Sequence, residues 1–374
     1  MNYNNTYFER PAEIELIRQM ARGPLKPKQE QQLNDWLSGP PDSKDAFIIK
    51  PAADFLQATR QQADSVMLFG DFWYEGELCI LFADTNVGKS ILAVQIGDAL
   101  SSGTPLPRFI MKQQPSTVLY FDFELNDAQF TKRYTSDLHG QHQFGSNFYR
   151  VVFNPDADGA GRFKNYQEYI NNALENAIVS SRAQVIIIDN ITCLRSSTQS
   201  AATAVNLMQN LQTIKNKYGL SVLVLAHTPK RNPAKPVTRN DLQGSKMLIN
   251  FADSAFALGE SQTKSSWRYL KQIKQRSGSQ VYGTDNVYLC EIIKPYNYLH
   301  FDFYGPGHET DHLSPYTEQQ CKIREARVLQ LHQQGRSIRQ IAADTGMSVT
   351  ATFRLVKKLS DAGGSDKGAV ITPT

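Results

Sequence analysis

The chain has 374 residues, of which 41% are hydrophobic and 20% are charged, and its formal net charge is +4. This length predicts one large domain with smaller additions, and the apolar content excludes a wholly disordered chain. The apolar runs are too short to span a membrane, the polar N-terminus lacks a signal-peptide core, and four scattered cysteines show no metal-ligand spacing, so we expect a cytoplasmic protein with free thiols.

In chain order, the pattern predicts five regions. Residues 1–65 are polar with helical spacing, and residues 66–304 alternate short apolar runs with helical stretches, which is typical of an α/β fold with a parallel-dominated sheet. The expected strands are residues 78–82, 118–123, 185–188, 222–226 and 255–258, with a hairpin of 267–273 and 287–293 at the sheet edge. A linker at 305–317, a helical module at 318–360 and a disordered tail at 361–374 are expected to follow.

The first predicted strand runs into a phosphate-binding loop, A-x-x-x-x-G-K-S, whose first glycine is replaced by alanine. Backbone N–H groups at the start of a helix favour an anion, so this loop is expected to surround the phosphates of ATP. Gly88 allows close approach of the backbone, Lys89 reaches the β- and γ-phosphates, and Ser90 binds Mg²⁺. The predicted nucleotide-binding residues of the loop are Ala83, Asp84, Thr85, Asn86, Val87, Gly88, Lys89 and Ser90.

Polar residues end the next predicted strands. In an open parallel sheet, ligands bind beyond the carboxyl ends of the strands, so these side chains should converge near the loop. We expect Asp189 to hold the water shell of Mg²⁺ and Glu124 to polarise the attacking water. Asp122 lies on the same strand face as Glu124, and a helix cap is the alternative role for either acid. His227 is placed to sense the γ-phosphate, although a lone histidine is more often structural.

Two basic regions suggest contacts with nucleic acid. The loop at residues 228–245 carries four cations against one acid, a pattern suited to following a phosphate backbone without reading bases, with a solvated surface loop as the alternative. Its cations are Lys230, Arg231, Lys235 and Arg239.

The second basic region is the C-terminal helical module, which is similar to a helix-turn-helix of the invertase, resolvase or sigma kind. Ser337 and Ser348 are expected to cap its second and third helices, with the second helix ending at Gly346. The predicted inward residues are Ala326, Val328, Leu329 and Leu331 on the first helix, and Phe353 and Val356 on the third. The predicted exposed positions, facing the DNA major groove, are Thr350, Thr352, Arg354, Lys357 and Lys358. A three-helix winged module or a module for docking another protein is the alternative.

With these motifs in order, the chain resembles the RecA-fold hexameric helicase superfamily of DnaB, plasmid RepA and RadA-type ATPases. The resemblance rests on the phosphate loop and on residues 118–133, 185–194, 241–255 and 271–278, the last reading as a K-x-R-x-G motif. It implies a RecA-like P-loop NTPase core and a homo-oligomeric ring, a hexamer. In such a ring, Lys274 and Arg276 would reach the γ-phosphate bound by a neighbour, and the basic loop would face single-stranded DNA in the central channel.

The resemblance thus implies an ATP- and Mg²⁺-dependent DNA helicase or translocase, as expected of a plasmid or mobile-element replication protein with duplex contacts through the helix-turn-helix. The alternative is a RadA- or KaiC-like regulatory or repair ATPase that binds DNA without unwinding it. A small-molecule kinase is disfavoured because the sequence offers no evident acceptor pocket and the K-x-R motif would have no role.

Overall fold

The computed structural model describes residues 49–54, 66–157, 159–194, 201–229, 231–242, 246–314, 318–345 and 347–363. The chain divides into two compact units, residues 1–64 and 65–374. The predicted helical segment at 1–65 lies outside the described residues except for 49–54, and the predicted tail lies outside them beyond residue 363. The fold described below is that of the second unit.

A nine-stranded sheet organises this unit, in the order β13-β12-β11-β10-β3-β9-β8-β4-β7. The six strands from β10 to β7 are parallel, and β11, β12 and β13 extend the sheet in antiparallel fashion. This architecture confirms the predicted α/β fold with a parallel-dominated sheet and is consistent with a RecA-like P-loop core. The strands are β3 (Leu78–Ala83), β4 (Val118–Asp122), β7 (Phe148–Val151), β8 (Val185–Asp189), β9 (Ser221–His227), β10 (Ser254–Glu260), β11 (Trp267–Lys274), β12 (Val287–Ile293) and β13 (His300–Gly307).

Helices cover both faces of the sheet, which explains why its central strands are apolar at almost every position. One face packs against α1 (Lys89–Ser102) and the other against α3 (Tyr166–Ser181) and α4 (Ala201–Tyr218). Successive residues of one strand serve opposite faces: Ile187 packs with α1, whereas Ile186 and Ile188 pack with α3 and α4. The central strands therefore position the residues at their carboxyl ends from a core buried on both sides.

Shorter elements complete the second unit. Two small hairpins pair β1 (Met67–Phe69) with β2 (Trp73–Tyr74) and β5 (Thr135–Ser136) with β6 (Gly140–Gln141), and the remaining helices are α2 (Asp127–Tyr134), α5 (Lys246–Phe251), α6 (Glu318–Gln333), α7 (Ile338–Thr345) and α8 (Val349–Gly363). Among the described helices, none combines the length and apolar character needed to cross a membrane.

The C-terminal helices α6, α7 and α8 form a module with its own apolar centre of Val328, Leu331, Ile341 and Val356. Ser348 caps α8 by accepting a hydrogen bond from the N–H of Ala351 at 3.2 Å. Whether this module is a DNA-binding helix-turn-helix stays a prediction, and Gly346, its expected turn residue, lies outside the described residues.

Four residues of this module differ in burial from the prediction. Phe353 is 56% exposed rather than inward, and Thr352, predicted to be exposed, is fully buried. The helix turns so that Thr352 and Val356, one turn apart, face the centre together, while the Thr352 hydroxyl donates to the carbonyl of Ser348 at 3.0 Å. On α6, Val328 and Leu331 are buried as predicted, whereas Ala326 and Leu329 are exposed.

Candidate nucleotide site

The predicted phosphate loop lies between the end of β3 and the first turn of α1. Gly88 ends the loop with φ +115°, and a Cβ atom there would lie 2.8 Å from both Ile292 Cδ1 and Phe301 Cζ. Asn86 also has a positive φ, +64°, a conformation that asparagine tolerates better than most residues. The loop therefore needs glycine at position 88, where strands β12 and β13 press on it.

Ala83, by contrast, has no need to be glycine. It is the last residue of β3, and its carbonyl accepts hydrogen bonds from Lys89 Nζ at 3.1 Å and from the N–H of Thr228 at 3.0 Å. An extended backbone does not require glycine. Because the position is buried, the side chain there must be small, and the methyl group of Ala83 fits. This local geometry accounts for the departure from the usual loop pattern.

Lys89 is only 5% exposed and is directed into the loop. Its ammonium donates to the carbonyl of Asp84 at 3.0 Å and to Nδ1 of His227 at 3.1 Å. Burial lowers the pKa of Lys89, and the nearby carboxylates of Asp189 and Glu124 oppose that shift. The lysine is thus held over the backbone that would receive the phosphates.

The other predicted residues reach the same place because their strands are neighbours. Strands β3, β9, β8 and β4 lie side by side, so Lys89, His227, Asp189 and Glu124 follow one another along one edge of the sheet. His227 Nε2 lies 3.1 Å from Oε1 of Glu124. The structure therefore brings the predicted base, sensor histidine and loop lysine into direct contact.

Glu124 is oriented by two donors. The Lys89 ammonium only donates, so Nδ1 of His227 accepts from it, and the protonated Nε2 faces both Oε1 of Glu124 at 3.1 Å and the amide nitrogen of Asn190 at 2.9 Å. The Asn190 amide also donates to Oε1 of Glu124, while its own oxygen accepts from the N–H of Thr192 at 2.7 Å. The bond from His227 is the largest cause of the lowered pKa of Glu124. Sequence reasoning missed Asn190, whose signal is its place directly after the strand acid.

Asp189 is completely buried and accepts a 2.7 Å hydrogen bond at Oδ2 from the Tyr120 hydroxyl. Its Oδ1 has no hydrogen-bond partner among the described residues. Burial raises the pKa of Asp189 to about 6, although the hydroxyl groups of Ser90 and Tyr120 act in the opposite direction. An unpartnered buried carboxylate oxygen near a serine hydroxyl fits the oxygen ligands that Mg²⁺ prefers.

Asp122 supports the site from behind and does not line it. Its carboxylate is buried against Arg150 Nε at 2.8 Å and accepts from the N–H groups of Leu125 at 3.0 Å and Glu124 at 3.3 Å. Asp122 therefore shapes the turn that presents Glu124. The cap of α2 is Asn126, so the alternative role of either acid as a helix cap is wrong.

Lys274 and Arg276, the predicted trans-acting residues, lie apart from this cluster at the end of α5. Lys274 Nζ donates to the carbonyls of Ile249 at 2.7 Å and Ala252 at 2.6 Å, and Arg276 pairs with Asp253 at 3.2 Å. Within one chain, both cations stabilise the end of a helix. Their contact with a neighbour's nucleotide stays a prediction.

The predicted DNA-binding residues differ in how they are presented. Lys235 and Arg239 are exposed, whereas Arg231 is partly buried and donates to the carbonyl of Lys235, bracing the loop from inside. Lys230 lies outside the described residues. The predicted contacts on α8 are all exposed, namely Thr350, Arg354 and Lys357.

Arg268, on β11, is a further residue of the site that the sequence did not reveal. Its Nε donates to the carbonyl of Val87 in the phosphate loop at 3.2 Å, and its guanidinium pairs with Glu260 at 3.1 Å. Arg268 and Val87 are 181 positions apart in the sequence, so no local sequence pattern predicts their contact.

A cavity of about 400 Å³ lies against α2 and includes Leu125, the residue after Glu124, in its lining. One Nη atom of Arg133 is buried there without a hydrogen-bond partner in the described part of the chain. The lining combines apolar and cationic side chains: Leu125, Gln129, Lys132, Arg133, Lys294 and Leu299. A guanidinium plane beside leucine side chains is suited to a flat, electron-rich ring.

Comparison with protein families identifies a domain that covers the site. Residues 46–233 match the model of a family described as AAA domain, a span that includes the phosphate loop, Glu124, Asp189 and His227. No curated protein sequence matches the chain. Among solved structures, it is similar to a KaiC-like protein from the hyperthermophilic archaeon Pyrococcus horikoshii OT3, with 14% identity and a TM-score of 0.45 over 65% of this chain and 99% of that chain.

Proposed function

Because the chain belongs to the AAA domain family, we propose that it hydrolyses ATP at the end of its sheet and uses the energy to move along or unwind DNA as a homo-oligomeric ring. The observation that carries the ATPase assignment is the contact of Lys89, His227 and Glu124 beside buried Asp189. A merely structural cluster would have no reason to place a base, a cation and a metal-type carboxylate at one phosphate loop.

The residues divide the chemistry between them. The loop and the first turn of α1 bind the phosphates, and Lys89 exchanges its contact with His227 for phosphate oxygens. Mg²⁺ would be held by Ser90 and, through water, by Asp189, and would neutralise charge on the phosphates. Glu124, kept ionised by its hydrogen bond from His227, orients the attacking water and accepts its proton. The cavity lined by Arg133 is suited to the adenine ring.

The link to DNA begins at His227. This residue contacts Glu124 and Lys89, and the next residue, Thr228, starts the basic loop. Binding or hydrolysis of the nucleotide would therefore alter the contacts of His227, directly before the first residue of the loop that presents Lys235 and Arg239. These point charges suit the phosphates of a single strand, and the exposed residues of α8 suit a duplex recruitment site.

The test is ATP hydrolysis with and without single-stranded DNA, together with displacement of a strand from forked DNA. We expect stimulation by the single strand, and its loss when Lys235 and Arg239 are both changed to Ala. Lys164→Ala, a change of an exposed lysine before α3, is the matched control and should keep the stimulation. Glu124→Gln identifies hydrolysis by a contaminant, because it removes the proposed base.

The exposed Thr350, Arg354 and Lys357 favour a second candidate, a regulatory or repair ATPase that binds duplex DNA without unwinding it. That protein would protect one duplex sequence in a footprint and would show neither stimulation by single strands nor strand displacement. The mass of the protein in solution, measured with a non-hydrolysable ATP analogue and an oligonucleotide, tests whether a ring forms. A strict monomer under all conditions contradicts any role for Lys274 and Arg276 across a subunit interface.

A further inference from the structure

A buried ion pair grips the middle of the basic loop. Glu309 Oε1 accepts a 2.7 Å hydrogen bond from the N–H of Val237, and Lys271 Nζ donates to the carbonyl of the same residue at 2.9 Å. Lys271 and Glu309 also pair with each other at 2.5 Å, with side chains that are 7% and 0% exposed. Both backbone polar groups of one loop residue are thus bound by one pair of opposite charges.

This arrangement is costly and therefore informative. Charges removed from water are tolerated only when they are paired and their remaining hydrogen-bonding capacity is used. Here that capacity is directed at the backbone of a loop, and the Val237 side chain is itself buried, at 3% exposed, in the core beneath. The pair links β11 to the short 3-10 helix Glu309–His312, and both members also bind the loop.

Neighbouring residues are built around the pair. The Tyr269 hydroxyl donates to Glu309 at 3.3 Å, and burial raises the pKa of Tyr269, so this donor keeps its proton. The Tyr269 ring occupies the space in which a side chain at Gly259 would lie, since a Cβ atom there would be 2.1 Å from Cζ of the ring. Glycine on the adjacent strand β10 thereby allows Tyr269 to reach the pair.

Two of the loop's anchors lie on different functional elements, and between them the N–H of Ser314 binds the carbonyl of Pro233 at 3.2 Å. At the start of the loop, the N–H of Thr228 binds the carbonyl of Ala83 at the phosphate loop. At Val237 it is held by Lys271, which is three residues before Lys274 on β11. Lys235 and Arg239, the exposed cations, lie two residues on either side of the second anchor.

We propose that Lys271 and Glu309 are positioning residues for polynucleotide binding, which fix the middle of the basic loop at Val237 so that Lys235 and Arg239 are held toward the DNA backbone. The inference rests on the proposed DNA-binding function of this loop. With the far anchor in place, a change at His227 displaces the segment between the anchors. Without this anchor, the loop is free to adopt many conformations, and a change at His227 does not move Lys235 and Arg239 in a defined direction.

The experiment replaces both members of the pair, as Lys271→Met with Glu309→Met. Exchanging both charges for apolar side chains spares the fold the unpaired charge that either single change would leave, while the Val237 peptide loses its partners. The matched control is Lys217→Met with Glu175→Met, which removes a surface ion pair of the same length, 2.5 Å. Circular dichroism and thermal unfolding establish that both variants are folded.

Two readouts follow on the folded proteins. Trypsin is expected to cleave after Arg239 about tenfold faster in the pair variant than in the wild type or control, because cleavage follows local opening; the Lys235–Pro236 bond is not a trypsin site. Affinity for a labelled oligothymidine is expected to fall by about tenfold or more, and by a larger factor than affinity for a fluorescent ATP analogue.

The outcomes separate the anchor from the proposed function. Unchanged trypsin cleavage in the folded pair variant overturns the anchor, whereas faster cleavage with unchanged oligothymidine affinity overturns the positioning role toward DNA. If wild-type protein binds no oligothymidine while the pair variant is cleaved faster, the proposed DNA-binding function fails and the positioning role toward DNA fails with it. Equal loss of DNA and ATP affinity assigns the pair a merely structural role.

Discussion

Changing Gly88 to Ala tests whether strands β12 and β13 clamp the phosphate loop. The new side chain would meet two obstacles, a backbone φ of +115° and the atoms Ile292 Cδ1 and Phe301 Cζ at 2.8 Å. Forcing a side chain into this backbone region costs about 1–3 kcal/mol, and overfilling a packed core adds about 1–3 kcal/mol. The expected loss in the free energy of unfolding is therefore about 2–6 kcal/mol.

The chain supplies a matched control in Gly76, which has φ +76° and no atom within 4 Å of the position of a Cβ. Gly76→Ala meets only the backbone cost, so urea titration of the two variants isolates the clash, expected at about 1–3 kcal/mol. Binding of a fluorescent ATP analogue should weaken in Gly88→Ala and stay unchanged in Gly76→Ala. Equal stability losses in the two variants would refute the view that Ile292 and Phe301 press on the loop.

Four further changes test the site and its supports. Glu124→Gln should lower single-turnover ATP hydrolysis by about 10²–10⁴ while retaining ATP binding, and a rate within tenfold of wild type contradicts its role as base. His227→Leu removes the bond that lowers the pKa of Glu124, so the carboxylate protonates at higher pH and the acidic limb of the pH–rate profile should move up; an unmoved limb argues against that coupling. Arg150→Met leaves Asp122 buried and unpaired and should cost about 3–5 kcal/mol in urea unfolding. Lys274→Ala should cost about 1 kcal/mol even in isolated chains, because the lysine binds the last carbonyls of α5.

The sheet and the nucleotide site were largely predictable for a shared physical reason. Strands such as β3 and β8 are buried on both faces and read as unbroken apolar runs, and the chemistry follows at their carboxyl ends. Contacts between distant positions were not predictable. Arg268 with Val87 and Lys271 with Glu309 join segments whose approach is decided only when the antiparallel strands fold back on the core.

The C-terminal module shows another limit of sequence reasoning. Hydrophobicity alone favours Phe353 over Thr352 as the buried residue, yet the helix buries the threonine. A threonine hydroxyl can bond to the carbonyl one turn earlier, as Thr352 does to Ser348, so its burial leaves no unpaired polar group. The phase of a short amphipathic helix is thus decided by packing against its neighbours, and polarity scales place such a threonine on the wrong side.

The side-by-side order of β3, β9, β8 and β4 has an evolutionary consequence. Backbone ladders hold neighbouring strands roughly 4.8 Å apart, so the separations among the reactive groups are inherited from the sheet and not from the connections. Insertions in the connections between the strands can therefore accumulate without changing the distances among the reactive groups. The small hairpin of β5 and β6, whose tip residue Leu138 is 90% exposed, is such a tolerant position.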